Sequence, residues 1–278
     1  METVAIVGVG LIGGSFALAL RRAGFAGRIL GVSSARTLAS AREAGIIDDG
    51  GALDAIVPRA DLVYLSQPIG AILDALPAVD RMVRPGTLIT DAGSTKLRIV
   101  KLALETVRRG LFLGGHPMAG KETRGIDAAE AGLFEGRPYF ITPVRFEDLE
   151  APPVIEFVDW IRRIGAAPQP VSAEDHDRAV AFTSHLPQLA STALACALAR
   201  LGGAEAARRA AGPGLLDATR LAMSSYELWR DIIATNGPLI DQALAAYIEE
   251  LAGFRRKLAA EGLGAEFDLA ADLARRLR

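Results

Sequence analysis

The sequence predicts an α/β protein in two parts: a mostly parallel sheet over residues 1–171 and an all-helical part over residues 172–278. Three observations lead there. A β-branched run, Thr3–Val7, is followed at once by Gly8-Val9-Gly10-Leu11-Ile12-Gly13 and a helical pattern through Ala23. Short apolar runs of strand length then alternate with helical stretches as far as Val171. Beyond that point no convincing strand recurs, and long helical patterns fill the chain.

The glycine cluster sits in the strand–turn–helix context that a dinucleotide fingerprint requires, so the first part reads as Rossmann-like. Gly8 permits the tight turn, Gly10 lets a pyrophosphate approach the backbone, and Gly13 lets helix pack on strand. The helix that opens at Leu11 and Ile12 offers free N–H groups and the positive end of its dipole to the phosphates. A second strand is expected at Arg28–Val32, and its end selects the cofactor. An acidic residue there would hold the 2′-hydroxyl of NAD. This chain has Ser33-Ser34-Ala35-Arg36 instead, two hydroxyls and a guanidinium that suit a 2′-phosphate. The expected cofactor is NADP, with NAD as the alternative. Ser33 also suits the N-cap of a helix over Thr37–Ala44, and the two roles are compatible.

Further strands are expected at Ala60–Leu65, followed by Gln67-Pro68, and at Thr87–Thr90, followed by Asp91-Ala92-Gly93-Ser94-Thr95-Lys96. Ser94 or Thr95 is placed to cap the next helix. A strand at Leu111–Leu113 then runs into Gly114-Gly115-His116-Pro117-Met118-Ala119-Gly120. That leaves one imidazole at the carboxyl end of a sheet, the edge where open α/β sheets bind ligands. Imidazole is also the side chain best suited to accept a proton near neutral pH. Strands at Pro138–Thr142 and Ala167–Val171 flank a helix at Val154–Ile164.

In the helical part, Ala173–Leu201 reads as one helix that Pro187 should kink. Ser225–Ala234, Pro238–Ala260 and Glu266–Leu277 follow. His176 and His185 are nine apart, about 180° in helical phase, and form no i, i+4 pair, so no metal site is expected. His185 and Gln188 cluster at the Pro187 kink, where His185 is either a helix-packing residue or part of a site. Asp175-His176-Asp177 reads as an acidic helix start. Arg220 lies between apolar neighbours, where a partly buried guanidinium needs an anion, either Asp217 or a substrate carboxylate.

Composition narrows the function. Lys and Arg total 31 against 33 Asp and Glu, a net charge of -2, which argues against a nucleic-acid partner. Cys196 is the only cysteine, so no disulfide framework or cysteine zinc site is expected, and it reads as a small core residue. Val4–Val7 lacks the basic flank of a signal peptide, and no apolar run approaches the roughly 20 residues of a membrane span. A cytoplasmic protein is expected.

Taken together, GVGLIGGS, DAGSTK, GGHPMAGKETRG, DHDRAVAFTSHLPQ and DATR resemble the prephenate/arogenate (cyclohexadienyl) dehydrogenase family, in family order from residue 8 to residue 220. The resemblance implies a Rossmann-like domain followed by a helical dimerisation domain, and hence a homodimer. It implies oxidative decarboxylation of prephenate or arogenate in tyrosine biosynthesis. Within it, His116 accepts the ring hydroxyl proton and Ser94 orients His116 and the nicotinamide. Arg220 clamps the ring carboxylate, and Glu122, Lys121, His176, His185 and Gln188 line the substrate pocket. Gln67 and Pro68 fall on the cofactor side. Lys121, Gln188 and Gln67 depart from residues common in the family, and the first two leave the substrate's side chain open. A cationic Lys121 disfavours arogenate's ammonium group, whereas NADP use often accompanies arogenate. Other two-domain dehydrogenases of the β-hydroxyacid or imine type, and a non-catalytic NADP-binding protein, are the alternatives. The first would place a lysine or other polar groups on the long helix, and the second would need no histidine at 116.

Overall fold

The computed structural model describes residues 1–121, 123–200, 204–258 and 262–277. The chain runs β1 (Thr3–Val7), α1 (Leu11–Arg22), β2 (Arg28–Val32), α2 (Ala35–Glu43), β3 (Asp49–Gly50), α3 (Leu53–Ile56), β4 (Leu62–Leu65), α4 (Ile69–Met82), β5 (Leu88–Asp91) and α5 (Leu97–Thr106). It continues with β6 (Leu111–Pro117), β7 (Pro138–Pro143), α6 (Pro152–Arg163), β8 (Ala167–Pro170), α7 (Ala173–Val180), α8 (Leu186–Arg200), α9 (Ala204–Ala210), α10 (Pro213–Thr219), α11 (Tyr226–Lys257) and α12 (Gly264–Arg276).

The eight strands form one sheet in the order β3-β2-β1-β4-β5-β6-β7-β8. All neighbours are parallel except β6 and β7. The order reverses between β1 and β4, which opens the crevice where such sheets take ligands. The central strands are mostly apolar, as expected for a sheet covered on both faces: Val4, Ile6, Leu62, Val63, Tyr64 and Ile89 have no more than 1% of their surface exposed. Phe16 on α1 stacks on Tyr64 with ring centroids 4.1 Å apart and packs on Phe134 and Phe157, tying helix and sheet into one core.

Two glycines of the first turn have steric reasons to be glycine. Gly8 holds φ +100°, and a Cβ there would lie 2.9 Å from the Ser66 backbone. A Cβ on Gly13 would lie 2.4 Å from the Gly8 carbonyl, so α1 can approach β1 this closely only with hydrogen at that position.

Compactness divides the described chain into two units, Met1–Val180 with Met223–Asn236, and Ala181–Ala222 with Gly237–Arg278. The first eleven residues of α11 therefore belong with the sheet. The expected break between Ala234 and Pro238 is absent: α11 runs through Pro238. Proline in a helix interior costs about 3 kcal/mol. The turns before it are anchored by Asp231 to the Gly70 N–H (2.9 Å), Thr235 to Thr95 (2.7 Å) and Asn236 to the Asp177 carbonyl (2.9 Å). The helix expected over Ala173–Leu201 is also not uniform. A π-helical turn, Ala181–His185, separates α7 from α8. It lies where the ring of Pro187 would press on the Thr183 carbonyl, and widening the turn relieves that clash. Leu201 and Ala260, expected helix ends, lie outside the described residues. Cys196 is exposed on α8 rather than a core residue. No helix among the described residues is long and apolar enough to cross a membrane.

Candidate active site

Two cavities open along the carboxyl ends of the strands, both within the first unit. The first, about 560 Å³, is lined by Gly8, Val9 and Gly10 after β1, by Val32, Ser33, Ser34 and Thr37 beside β2, and by Ser66, Gln67 and Pro68 after β4. Gly10 is the N-cap of α1 with no side-chain cap, and a Cβ there would meet nothing within 4 Å. Open backbone N–H groups at a helix start, with no acidic residue in the first turn, suit a phosphate. A dinucleotide therefore fits this cradle. Ser34, not Ser33, caps α2, accepting from the Thr37 N–H at 3.2 Å, because α2 begins at Ala35. Ser33 is thus left to face the cavity, whereas exposed Arg36 does not line it.

The second cavity, about 750 Å³, shares Ser66, Gln67, Pro68 and Gly125 with the first, so the two meet along those residues. Leu11 and Ile12 line it, as do Gly93, Ser94, His116, Lys121, Arg124, Glu227, Arg230 and Asp231. β6 is longer than expected: it continues through Gly114 and Gly115 to Pro117, so His116 is a strand residue paired with Phe140 of β7 rather than a loop residue. Strand pairing fixes the imidazole more tightly than a glycine-rich loop would.

Behind His116 lies a chain of buried groups. His116 Nδ1 is 2.8 Å from His176 Nε2, and His176 Nδ1 is 2.8 Å from Asp177 Oδ1. His176 is fully buried, with the Phe140 ring edge-on against it at 5.1 Å. It therefore stands one layer behind the cavity, whereas the resemblance implies that it lines it. Burial holds the His176 imidazole below its ordinary pKa, opposed by the bond to Asp177. Neither Ser94 nor Thr95 caps α5, whose N-cap is Lys96 without a side-chain cap bond. Asp177 does so from a distance, accepting the Lys96 N–H at 2.7 Å and the Leu97 N–H at 2.9 Å. It is not simply part of the acidic start of its own helix.

Lys96 and Asp91, both fully buried, form an ion pair beneath the same loop. Asp91 accepts the Gly93 N–H at 2.8 Å and the Gly115 N–H at 3.1 Å, and Lys96 Nζ donates to the Gly115 carbonyl at 2.7 Å. The pair thus ties the Gly93–Ser94 turn to the strand that carries His116. Burial pulls the Lys96 ammonium below its usual pKa, and the Asp91 charge pushes it back up.

Two family models cover most of the chain. The one described as prephenate dehydrogenase, nucleotide-binding domain, matches residues 16–161, and the one described as prephenate dehydrogenase, dimerization domain, matches residues 172–268. The chain belongs to the prephenate dehydrogenase family. Its sequence is 32% identical to prephenate dehydrogenase of Bacillus subtilis over 255 residues, 90% of this chain and 68% of that one. Its fold matches prephenate dehydrogenase from Aquifex aeolicus, solved with hydroxyphenyl propionate and NAD+, at a TM-score of 0.86, 29% identity and coverage of 99% and 98% of the two chains. Arogenate dehydrogenase from Synechocystis matches at 0.81, 30% identity and coverage of 97% and 96%. The protein is a dehydrogenase with a nicotinamide cofactor.

The remaining expected site residues of this dehydrogenase are placed as follows. Lys121 lines the second cavity, but Glu130 pairs with it at 2.6 Å. The pair is partly exposed, and it weakens the expected bias against an ammonium group. Glu122 lies outside the described residues. His185 and Gln188 belong to the second unit and are buried there, at 2% and 5% exposure. Gln188 Nε2 donates to the Leu221 carbonyl at 2.8 Å and to Thr192 Oγ1 at 3.3 Å. Arg220 starts a short 3₁₀ turn after α10 and is exposed within its unit, not partly buried. Asp91, Lys96 and Asp231 carry no role that the sequence makes visible, and Asp177 stands out there only as part of an acidic helix start. Three charged residues in or beside the DAGSTK and DHD stretches were the available signal, but their partners lie far along the chain.

The buried His176 makes stability pH-dependent. Its folded pKa is depressed, so below the unfolded value near 6.5 the unfolded chain binds a proton that the folded chain refuses. Stability contributed by neutral His176 is complete above that value and falls as pH drops from it toward the folded pKa. Urea midpoints measured between pH 7.5 and 5 should decline, and His176→Gln should flatten the decline. An equal slope in both proteins would assign the effect to other groups.

Proposed function

We propose that the protein oxidatively decarboxylates prephenate, arogenate or both, in tyrosine biosynthesis, with NADP as the favoured acceptor. The observation that carries the reading is His116 on the wall of a cavity that joins the glycine-turn cradle along Ser66, Gln67 and Pro68. His116 takes the ring hydroxyl proton, and electron density on that oxygen assists loss of hydride from the same carbon. The bound nicotinamide supplies the hydride acceptor. The bond to the ring carboxylate breaks, CO2 leaves, and the electron pair completes the aromatic ring, whose oxygen then regains a proton. Ser94, on the same wall, orients His116 and the nicotinamide. Lys121 and Gln188 are assigned to the substrate's side chain, Glu122 and His185 to the substrate pocket, and His176 to support of His116. Residues 1–171 serve as the nucleotide-binding domain and 172–278 as the substrate and dimerisation domain of a cytoplasmic homodimer.

The experiment that tests the reading gives purified protein each substrate with each cofactor and follows nicotinamide absorbance. Turnover in at least one of the four combinations is expected, and turnover in none would overturn the proposal. Two variants refine it. Ser33→Asp puts a carboxylate where a 2′-phosphate is assigned. The ratio of kcat/KM for NADP over NAD should fall at least about tenfold, roughly 1.4 kcal/mol. An unchanged ratio would place 2′ recognition elsewhere. Arg220→Ala removes a charge-assisted grip of about 1.5–3 kcal/mol on the ring carboxylate, so the substrate KM should rise roughly 10- to 100-fold. A selective loss of NADP binding instead would refute the clamp.

A further inference from the structure

We propose that Asp177 and His176 are positioning residues that hold His116 in the one tautomer able to accept a proton from the substrate. The inference rests on the reading of His116 as the base. Asp177 already accepts two backbone N–H bonds from the start of α5, at 2.7 and 2.9 Å, and a carboxylate in that setting only accepts. His176 Nδ1 must therefore carry the proton of the 2.8 Å bond to Asp177. A neutral His176 then presents a lone pair at Nε2, so the proton in its 2.8 Å bond to His116 belongs to His116 Nδ1. His116 Nε2 is left with a lone pair. No other neutral assignment satisfies both bonds.

If His176 were an imidazolium, both its nitrogens would donate. His116 Nδ1 would become the acceptor, its proton would move to Nε2, and the base would be lost. Two features guard against this. His176 has no exposed surface, and burial disfavours its cation. Phe140, edge-on at 5.1 Å, covers it from the strand side. Asp177 is held independently of the histidines by the α5 amides and, through its carbonyl, by Asn236 Nδ2 at 2.9 Å. One carboxylate thus sets both the start of the helix after Ser94 and the tautomer of His116. The charged groups around the pair are Lys96 and Asp91 on the sheet side and Lys121, Arg124, Glu227, Arg230 and Asp231 on the cavity side.

The test compares His176→Gln, His176→Phe and Asp177→Asn with the parent enzyme, and reads the tautomer directly by ¹⁵N NMR of histidine-labelled parent protein. With only three histidines the spectrum can be assigned. The parent should show His116 protonated at Nδ1. His176→Phe, with no acceptor, should lose about 100-fold or more in kcat with little change in substrate KM. His176→Gln, whose amide oxygen can accept from Nδ1, should recover most of that loss. Asp177→Asn should move the acid limb of the kcat profile. A proton at His116 Nε2 in the parent would overturn the proposal, whatever the variants do. So would equal kcat losses in the Gln and Phe proteins, or a Phe protein with parental kcat and pH profile. Loss of turnover in His116→Asn alongside an unaffected His176→Phe would sink this inference alone, whereas full turnover in His116→Asn would sink the base assignment beneath it.

Discussion

His116→Asn should cost between about 10²- and 10⁴-fold in kcat, the range removed with a general base, while leaving nicotinamide-cofactor binding close to that of the parent. Charge and place decide the effect. An asparagine amide cannot take a proton at neutral pH, so the ring hydroxyl keeps its proton and the carbon beneath it loses its push. The same amide can still donate to His176 Nε2, which now sits 2.8 Å from the imidazole, so the packing behind residue 116 is preserved. The glycine cradle lies in the neighbouring cavity, whose lining does not include residue 116. Cofactor titration by fluorescence and steady-state kinetics check both halves. Unimpaired turnover would remove His116 from its role, and a matching loss of cofactor affinity would make it a structural residue.

Lys96→Met should destabilise the first unit by about 3–5 kcal/mol, the cost of leaving a buried partner charge uncompensated. Asp91 is fully buried and would keep two backbone donors but lose its cation. The Gly115 carbonyl would lose its donor as well. The effect should reach catalysis, because Gly115 precedes His116 on β6. Both tryptophans, Trp160 and Trp229, lie in the first unit, so fluorescence-detected denaturation reports on the right part of the chain. Asp91→Asn combined with Lys96→Met should recover part of the loss, since no unpaired charge remains. A single variant within about 1 kcal/mol of the parent would show that the pair adds little beyond packing.

What could be read from the sequence was what neighbouring residues decide. The Gly8–Gly13 turn follows its strand directly, and its constraints act within a few residues, so its place and steric logic were visible in advance. The alternation of strands with helices, and its end after β8, was visible for the same reason. His116 stands out in the sequence, but its strand setting does not. Glycines read as the end of a strand, whereas pairing with Thr142 and Ile141 of β7 carries β6 through them. A strand partner some 25 residues downstream overrides local propensity. The support behind His116 was hidden for a stronger version of that reason. The His116–His176 bond spans 60 residues and the Lys96–Asp177 cap spans 81. Nothing local in Asp175-His176-Asp177 distinguishes an acidic helix start from a carboxylate that caps a different helix. Pro238 misled in the same direction: its local cost is real, but anchors at Asp231, Thr235 and Asn236 hold the turns before it. Lys121 shows the limit of assigning charge from sequence, since its partner Glu130 becomes a neighbour only on folding.

In the proposed reaction a proton leaves to an imidazole while hydride and CO2 leave the same ring. The direct measurement is the ratio of CO2 released to nicotinamide reduced, in a single reaction of the purified enzyme with whichever of prephenate or arogenate it turns over. One molecule of CO2 for each reduced cofactor is the predicted result. Cofactor reduction without CO2 would contradict the account, as would CO2 release without reduction.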